Sequence, residues 1–382
     1  MTSEQFPLLI TDHCLLLTAK GVFMEKKVFI KRIEEFKILM VKNSLDYCIA
    51  TPGTNFYYLS GIDTFRMERL IAVIIPIKGE PFIICPSFEE ERLRKETCIN
   101  NFYPWKEDEN PYEILEKIIK SRSMKYSCTG IEPTTHFETF VKLKDHLTGM
   151  EFKDGSSLFS TMRRKKTEEE IEALKKAVDI TEKNIDYALS HLKPGMKEEE
   201  LKKYLTGDEK LVQFGETSSY PHSEGGKNIL QKNDVVLIDK GDMWEKYHSD
   251  ITRTAYFGKG DEDFFKIWHI VREARDRAIE KAGPGIPCEV VDKSARDVIE
   301  REGYGEYFTH RTGHGLGLDI HEMPYLVKGN MDLLEPGNVI TIEPGIYLPG
   351  KFGVRIEEDV VITRNGREVL SRQPQKPDII ED

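Results

Sequence analysis

Apolar residues in the first part of the chain follow helical and strand-like spacing in turn. Residues 24–43 carry four apolar side chains at intervals of three or four, which predict an amphipathic helix: Phe29, Ile33, Phe36 and Met40. The β-branched runs LDYCIAT, AVIIPI and PFIIC predict strands, and FEEERLRKE and NPYEILEKIIKSR predict helices. PGTNFYYLSG is typical of a turn followed by a packed aromatic strand. Residues 24–155 are therefore expected to form a mixed α/β domain.

The second part of the chain opens with clear helix signals. Thr167 and Glu170 have the spacing of a capping box, and an apolar stripe follows them at Ile171, Leu174, Val178, Ile185, Leu189 and Leu192. FFKIWHIVREARDRAIEKAG and CEVVDKSARDVIEREG predict further helices. The runs LVQFG, DVVLID, TRTAYF, NVITIEPGIY and VRIEEDVVIT predict strands. For residues 156–382 we expect an antiparallel sheet covered by helices, which makes the whole chain α+β.

Composition narrows the class of protein. The 382 residues suffice for two domains of ordinary size. The chain has 55 basic and 66 acidic side chains, a formal net charge of −11, and no basic stripe, so nucleic acid is not an expected partner. Scattered cysteines without CxxC spacing and the lack of a membrane-length apolar run predict a soluble, cytoplasmic protein without a membrane partner. Residues 1–23 are expected to be a loose extension, or to precede the true start at Met24.

Four acids and one histidine in the second part carry the chemistry. They are Asp239 and Asp250 in IDKGDMWEKYHSD, His314 in TGHGLG, Glu343 in TIEPGIY and Glu357 in VRIEED. Most of them lie in or beside apolar runs, where a charged side chain is costly unless a cation or a partner compensates it. Taken singly, such acids are usually solvated or paired with an arginine such as Arg253 or Arg355. Taken together, they predict a site for divalent cations.

The spacing of the acids supports one shared site. Asp239 and Asp250 flank a hairpin-like segment, and Glu343 and Glu357 flank a Gly/Pro turn, so each pair can come from adjacent strands. His314 lies between glycines, which let the backbone approach the site closely. Oxygen-rich, thiol-free coordination favours Mn²⁺, Co²⁺, Fe²⁺ or Zn²⁺. Two such ions about 3.5 to 4 Å apart activate water and polarise a carbonyl group, which suits hydrolysis.

The blocks SDITRT, HRTGHGLGLDIHE, TIEPGIY and GVRIEEDVVIT resemble the metal-site blocks of the pita-bread metallopeptidases, over about residues 24 to 370. Within that superfamily, PGTNFYYLSG, ENPYEIL and GYGEYFTHRTGHGLGLDIHE are most similar to the compact prolidases of archaea and bacteria. The resemblance implies a creatinase-like N-terminal domain, a pita-bread catalytic domain, two divalent metal ions and a homodimer. Mn²⁺ or Co²⁺ is the expected metal, with Zn²⁺ or Fe²⁺ as alternatives.

The resemblance also implies roles for particular residues. Asp239 would bind one metal, Asp250 and Glu357 would bridge both, and His314 and Glu343 would complete the ligand set. Glu343 would also be the general base. Three further histidines match the outer part of the family's site: His310 and His321 would bond to the substrate carbonyl oxygen, and His222 would face the bound substrate. Arg355 would hold one of the ligand carboxylates.

The function implied is metal-dependent hydrolysis of the Xaa-Pro bond, with dipeptides as the leading substrate. The alternative within the family is an aminopeptidase that removes the first residue from longer Xaa-Pro peptides, since both activities use the same residues. A hydrolase of a small non-peptide amide also stays open. An alternative of another class is a metal-free binding protein on the same scaffold, which the five intact ligand positions argue against.

Overall fold

A computed structural model describes residues 26–122, 128–207, 209–221 and 223–381 of the chain. The chain divides into two compact units, and the boundary along the chain falls between Gly155 and Ser156. The predicted extension at 1–23 and the candidate residue His222 lie outside the described residues. No helix within the described ranges is both long and apolar enough to cross a membrane.

The first unit is a mixed sheet with helices. Its strands are β1 Tyr47–Ala50, β2 Ala72–Pro76, β3 Phe82–Pro86, β4 Asn101–Trp105, β5 Cys128–Ile131 and β6 Glu151–Asp154. Its helices are α1 Lys26–Lys42, α2 Thr54–Ser60, α3 Glu90–Glu96, α4 Pro111–Ser121 and α5 Phe137–His146. The strand order is β4-β3-β2-β1-β5-β6. The pairs β1–β2 and β2–β3 are antiparallel and the others are parallel.

Helix α1 confirms the first sequence pattern, because it buries all four of the predicted apolar side chains. The prediction for PGTNFYYLSG is wrong, since this segment forms α2 rather than an aromatic strand. The helix starts after Gly53 and stops at Gly61, whose left-handed φ of 77° is a typical helix end. Tertiary packing decides the outcome, because Phe56 and Tyr58 are both buried in the helical form and β propensity is easily overridden.

The second unit holds the remaining elements. Its helices are α6 Ser156–Arg164, α7 Glu168–Leu189, α8 Glu198–Leu201, α9 Glu262–Lys281 and α10 Cys288–Arg301, with short 3₁₀ helices at Lys202–Tyr204, Gly215–Ser219 and Gly305–Tyr307. Its first strands are β7 Lys210–Phe214, β8 Asp234–Lys240, β9 Met243–Trp244, β10 Tyr247–His248, β11 Ile251–Phe257, β12 Gly313–Gly315 and β13 Glu322–Leu326. Its last strands are β14 Val339–Ile342, β15 Gly345–Leu348, β16 Phe352–Arg355, β17 Glu358–Thr363, β18 Gly366–Val369 and β19 Ile379–Ile380.

These strands form two main sheets. One has the order β19-β11-β8-β7 and the other β13-β12-β14-β17-β18, and β9–β10 and β15–β16 are separate hairpins. All pairs except β11–β19 are antiparallel. Helices α9 and α10 pack on β14 and β17 through one hydrophobic core, and α7 packs on β7, β8 and β11 through another. The helix-covered antiparallel arrangement predicted from the sequence is confirmed.

Helix α7 begins with the predicted capping box. The Thr167 hydroxyl accepts a hydrogen bond from the Glu170 backbone N–H at 3.3 Å, and the Glu170 carboxylate accepts one from the Thr167 N–H at 2.6 Å. The apolar stripe faces the core at Leu174, Val178, Ile185 and Leu189, while Leu192 is buried beyond the helix end. The helix is thus fixed at its first turn by the sequence and along its length by packing.

Two predicted strands are each divided in the structure. NVITIEPGIY forms β14 and β15, and VRIEEDVVIT forms β16 and β17. The divisions fall at Glu343 and at Ile356-Glu357, where the chain passes between the five-stranded sheet and the β15–β16 hairpin. Pro344 lacks a donor for the sheet ladder, which gives a physical reason for the first division. Glu343 and Glu357 therefore lie just outside the strand ends, where a side chain can turn toward a shared site.

Candidate metal centre

Asp239 and Asp250 are brought together by the antiparallel pairing of β8 and β11. Asp239 lies opposite Thr252, and Asp250 comes one residue before β11 begins. The intervening β9–β10 hairpin turns at Glu245 and Lys246, which both have positive φ, at 49° and 72°. Two residues in that region are typical of a tight hairpin turn. The hairpin expected from the sequence is therefore present, and it returns the chain to the site.

Glu343 and Glu357 lie side by side at the end of the β14–β17 pair. Ile342 pairs with Glu358, so the next residue of one strand lies beside the preceding residue of the other. The β15–β16 hairpin connects them. His314 is the central residue of β12, which pairs with β14 through Gly315 and Ile340. Ligands distant in sequence are thereby placed on neighbouring strands.

The glycines on either side of His314 let neighbouring strands pack closely together. A Cβ atom at Gly313 would lie 1.9 Å from the Thr341 carbonyl oxygen, and one at Gly315 would lie 2.3 Å from the Met323 carbonyl oxygen. Neither position can hold a side chain unless the backbone moves. The sequence predicted a close approach to the site itself, whereas the structure shows that the glycines let β12 lie against β13 and β14.

The five predicted ligands, Asp239, Asp250, His314, Glu343 and Glu357, form one group that we call the ligand cluster. Three sets within it and beside it have ligand atoms within 4.8 Å of one another: Asp239–Asp250–Glu357, His314–Glu343–Glu357 and Asp250–His314–His321. The cluster opens into a cavity of about 690 Å³ that His310, Arg311 and His321 also line. Asp250, His314 and Glu357 each belong to two sets, which makes them the central members.

Burial and mutual repulsion raise the pKa values of three of the cluster acids, Asp250, Glu343 and Glu357. Burial is the first cause of a pKa well above the usual range for Asp250 and Glu357, and the neighbouring carboxylates are the second. The pKa of Glu343 is raised to about 7, mainly by burial, although Arg355 opposes the change. Near neutral pH these three acids are therefore stabilised by a bound proton or by a cation.

The Nε2 acceptor of the His314 imidazole faces two acids of the ligand cluster. Its Nδ1–H donates to the Gly315 carbonyl oxygen at 2.9 Å, so Nε2 carries the lone pair. That Nε2 lies 3.4 Å from Glu343 Oε1 and 3.6 Å from Asp250 Oδ2. Burial lowers the pKa of His314 to about 3, so the ring is neutral. Acceptor atoms of three side chains thus converge, and a divalent cation fits this donor set of carboxylate oxygens and imidazole nitrogen.

Arg355 is the guanidinium that the protein supplies to this cluster. Its Nη2 donates to Asp239 Oδ2 at 2.5 Å, its Nε to the Thr252 hydroxyl at 3.0 Å and its Nη1 to the Tyr347 hydroxyl at 2.8 Å. Thr252 in turn donates to Glu357 Oε2 at 2.6 Å. Within the described residues, no lysine or arginine forms an ion pair with Asp250, Glu343 or Glu357. Arg355 therefore orients one acid and leaves most of the negative charge uncompensated.

Of the candidate histidines, His310 and His321 lie at the cavity. His310 donates from Nδ1 to the Arg311 carbonyl oxygen at 2.7 Å, and its Nε2 lies 2.8 Å from the Tyr347 hydroxyl. The ring of His321 meets that of His314 edge-on, with centroids 4.4 Å apart. Sequence reasoning did not single out Thr252 or Tyr347. Thr252 follows Asp250 by two residues in a predicted strand and could have been found that way, whereas Tyr347 sits in an apolar run without any signal.

Comparisons with known proteins identify the family of this chain. A family model described as metallopeptidase family M24 matches residues 172–364, and one described as the creatinase/prolidase N-terminal domain matches residues 32–165. An uncharacterized peptidase from Staphylococcus epidermidis is 36% identical over 352 residues, which are 89% of this chain and 99% of that protein.

Solved structures give the same result. A prolidase from Thermococcus sibiricus has a TM-score of 0.87 and 36% identity, and the match covers 94% of this chain and all of that one. A dipeptidase from Pyrococcus horikoshii OT3 has a TM-score of 0.86 and 35% identity, over 91% of this chain and all of that one. At this coverage, the likeness extends through both units.

Proposed function

The chain belongs to metallopeptidase family M24, and from this premise we propose that it hydrolyses the peptide bond before proline in Xaa-Pro dipeptides, with two divalent metal ions. The observation that carries the proposal is the ligand cluster, in which four carboxylates and one imidazole converge with little compensating charge from the protein. The structural relatives named as a prolidase and a dipeptidase support the substrate class. A homodimer and a cytoplasmic location stay predictions.

The overlap of the ligand sets supports the two metal positions that the family resemblance implies. Asp239 would belong to one position, His314 and Glu343 to the other, and Asp250 and Glu357 to both. Mn²⁺ or Co²⁺ is the proposed metal, and Zn²⁺ or Fe²⁺ would also suit these ligands. When bound, such ions polarise a carbonyl group and lower the pKa of water.

The protein's own groups would move and hold protons around the reacting carbonyl. Glu343 is the proposed general base, because its carboxylate lines the cavity at the ligand cluster. His321 lines the cavity beside His314 and would donate a hydrogen bond to the carbonyl oxygen as negative charge develops there. His222 is proposed to face the substrate, as the sequence suggested.

His310 needs a more specific role than the one implied by the resemblance. Since its Nδ1–H donates to a carbonyl group, its Nε2 accepts the proton of Tyr347, whose hydroxyl accepts from Arg355. His310 would therefore contact the substrate oxygen only after exchanging its bond to Tyr347. In the unliganded chain it holds the phenol in place, and burial raises the pKa of that phenol to about 12.

Arg311 supports a preference for dipeptides. Its guanidinium lines the cavity and stacks on the Tyr325 ring at 4.3 Å. It makes no ion pair with any carboxylate in the described part of the chain, and stacking leaves the edge of the guanidinium available. The terminal carboxylate of a dipeptide would complete this fork, whereas in a longer peptide the same position is a neutral amide.

A substrate panel tests the proposal. The purified protein, loaded with Mn²⁺ or Co²⁺, is incubated with Xaa-Pro dipeptides, their C-terminal amides and Xaa-Pro-Yaa tripeptides, and the products are identified by mass spectrometry. We expect free dipeptides to be cleaved at least about tenfold faster than the amides, because an amide cannot form the charged pair with Arg311. Cleavage of tripeptides without dipeptides would instead identify an aminopeptidase, and no cleavage of any member would contradict hydrolysis before proline.

A further inference from the structure

The segment between β12 and β13 carries His321 and turns sharply around one buried carboxylate. Glu322 follows His321 directly, and its side chain is only 6% exposed. Its Oε1 accepts a hydrogen bond from the Asp319 backbone N–H at 3.1 Å, while the Asp319 carbonyl accepts from Gly317 N–H at 3.1 Å. The turn that precedes His321 is thus wrapped around the Glu322 carboxylate.

Two cations from outside the turn hold the same carboxylate. Arg163, at the end of α6, places Nη2 2.5 Å from Glu322 Oε1 and 2.6 Å from Asp319 Oδ2. Lys166, in the link between α6 and α7, places Nζ 2.9 Å from Glu322 Oε2. The side chains of Arg163 and Lys166 are 9% and 2% exposed. These residues, Arg163, Lys166, Asp319 and Glu322, form a neutral set that we call the clamp.

The clamp has little freedom to rearrange. A Cβ atom at Gly317 would lie 2.7 Å from Glu322 Oε1 and 2.8 Å from the Lys166 side chain, so the backbone of the turn is packed directly on the ion pair. Lys166 is held by its own backbone, whose N–H donates to the Gly337 carbonyl oxygen at 2.8 Å. The backbone of Lys166 is therefore held in place, and the turn packs against the Lys166 side chain.

Stability alone is a weak reason for such a group. Desolvation of buried charges consumes most of the attraction between them, and an apolar replacement of the same volume is often neutral or better. In some proteins a buried ionic group instead serves to select one conformation of the segment that it holds. The segment selected here is the one that places the ring of His321 against that of His314, at 4.4 Å.

We propose that Lys166 and Arg163 are positioning residues for catalysis, which act through Glu322 to fix His321 at the edge of the ligand cluster. The inference rests on the proposed function, because it assumes that His321 bonds to the substrate. The clamp touches neither the cavity nor the ligands directly, so its effect on the reaction has to pass through the turn. Loss of one cation would let the turn relax and the imidazole move away from the carbonyl oxygen.

The test is a double-mutant cycle between Lys166→Met and His321→Ala. In the Mn²⁺-loaded enzyme, Lys166→Met is expected to lower kcat about 10- to 100-fold, the range for partners that orient a functional group, with little change in KM. In the His321→Ala background it should lower kcat less than about twofold, because the group that it positions is absent. Equal losses in both backgrounds would overturn the proposal. Lys166→Arg should recover most of the activity.

Arg164→Met is the matched control. Arg164 lies on the same helix as Arg163, but it pairs with Asp332 at 3.3 Å and has no contact with Glu322. This variant is expected to keep kcat within about twofold of the wild type. Glu322→Gln, which keeps the size of the side chain, replaces Lys166→Met in the cycle if that variant does not fold, and the same non-additivity is expected.

A second measurement separates the clamp from the proposed function. In the Zn²⁺-loaded protein, the ring resonance of His321, assigned by its loss in His321→Ala, should shift and broaden in Lys166→Met and stay unchanged in Arg164→Met. An unchanged resonance in Lys166→Met would overturn the proposal. If the wild type cleaves no Xaa-Pro peptide, the proposed function fails, while the resonance still decides whether the clamp holds His321.

Discussion

Glu357 and Glu358 are consecutive, both buried, and surrounded in opposite ways. Glu358 accepts hydrogen bonds from Arg275 at 2.8 Å and Arg253 at 3.0 Å, as well as from the Ser371 hydroxyl. Glu357 accepts one from the Thr252 hydroxyl and faces other carboxylates. The protein therefore neutralises the charge of Glu358 and does not neutralise that of Glu357. The comparison teaches that burial alone does not mark a candidate metal site, since Glu357 differs from Glu358 both in lacking a protein cation and in facing other carboxylates.

The pKa values follow the same division. Burial raises the pKa of Glu358, while Arg253 and Arg275 oppose it. Burial raises the pKa of Glu357 well above its usual range, and Asp250 and Glu343 add to the effect. Glu358 belongs to structural ion pairs, and Glu357 belongs to the proposed metal site.

Removing a ligand should give the largest effect. Asp250→Asn keeps the size of the side chain and removes a charge that both proposed metal positions use, so kcat is expected to fall by about 10³-fold or more, equivalent to roughly 4 kcal/mol in the barrier. Glu343→Gln should behave alike, as it removes the proposed base. Steady-state assays are paired with metal analysis of each variant. Asp297→Asn, an exposed acid on α10 paired with Lys293, is the control, and wild-type rates in metal-loaded Asp250→Asn would contradict the assignment.

The two glutamates should respond differently to the same substitution in the metal-free protein. Glu358→Gln leaves two buried guanidinium groups without their full partner and should cost about 3 to 5 kcal/mol in the free energy of unfolding. Glu357→Gln removes one of several repelling charges, so the free energy of unfolding should stay the same or rise. Urea denaturation in EDTA at pH 7 measures both values. Similar losses for the two variants would mean that the comparison is wrong.

The smallest effect is the change of stability with pH. Glu343 has a pKa raised from 4.5 to about 7 in the folded, metal-free chain, so the folded state holds more protons than the unfolded state between these values. Its contribution to stability is therefore greatest below pH 4.5 and is lost as the pH rises toward 7. With Mn²⁺ bound, the metal replaces the proton and the trend should reverse, because binding requires deprotonated ligands. The test is the free energy of unfolding, measured by urea denaturation from pH 5 to 8 with EDTA or with Mn²⁺. Glu343→Gln should flatten the dependence of this free energy on pH in EDTA. The same dependence on pH in EDTA and in Mn²⁺ would refute the prediction.

Much of the fold was predictable because local patterns agree with tertiary packing. The capping box at Thr167 and the apolar stripe of α1 are satisfied within a few turns of chain, so their spacing was sufficient. The α2 segment was not predictable in the same way. Its aromatic residues suit a strand, and only the space available beside the sheet of the first unit favours a helix.

The ligand cluster was predictable as a set of residues and not as a geometry. Charged side chains in apolar runs are unusual enough to be found in a sequence, and their spacing fits the known family blocks. The division of two predicted strands at Glu343 and Glu357 was missed, since the same β-branched residues continue on both sides. Arg355 was expected to hold a carboxylate, while the link through Thr252 and Tyr347 depends on strands that the sequence could not pair.

By itself, the sequence determined which acids and histidines are available to this protein. It also showed that most of the candidate ligands lie in or beside apolar segments, where a charged side chain needs a compensating charge. Tertiary structure alone decided which of these charges the protein neutralises. Glu357 and Glu358 share the same local sequence, and they differ because Arg253 of β11 and Arg275 of α9 pair with the carboxylate of Glu358, whereas Arg253 reaches only the backbone carbonyl of Glu357. Electrostatic compensation acts over a few ångströms in space and not along the chain, so only the folded arrangement separates a structural acid from a metal ligand.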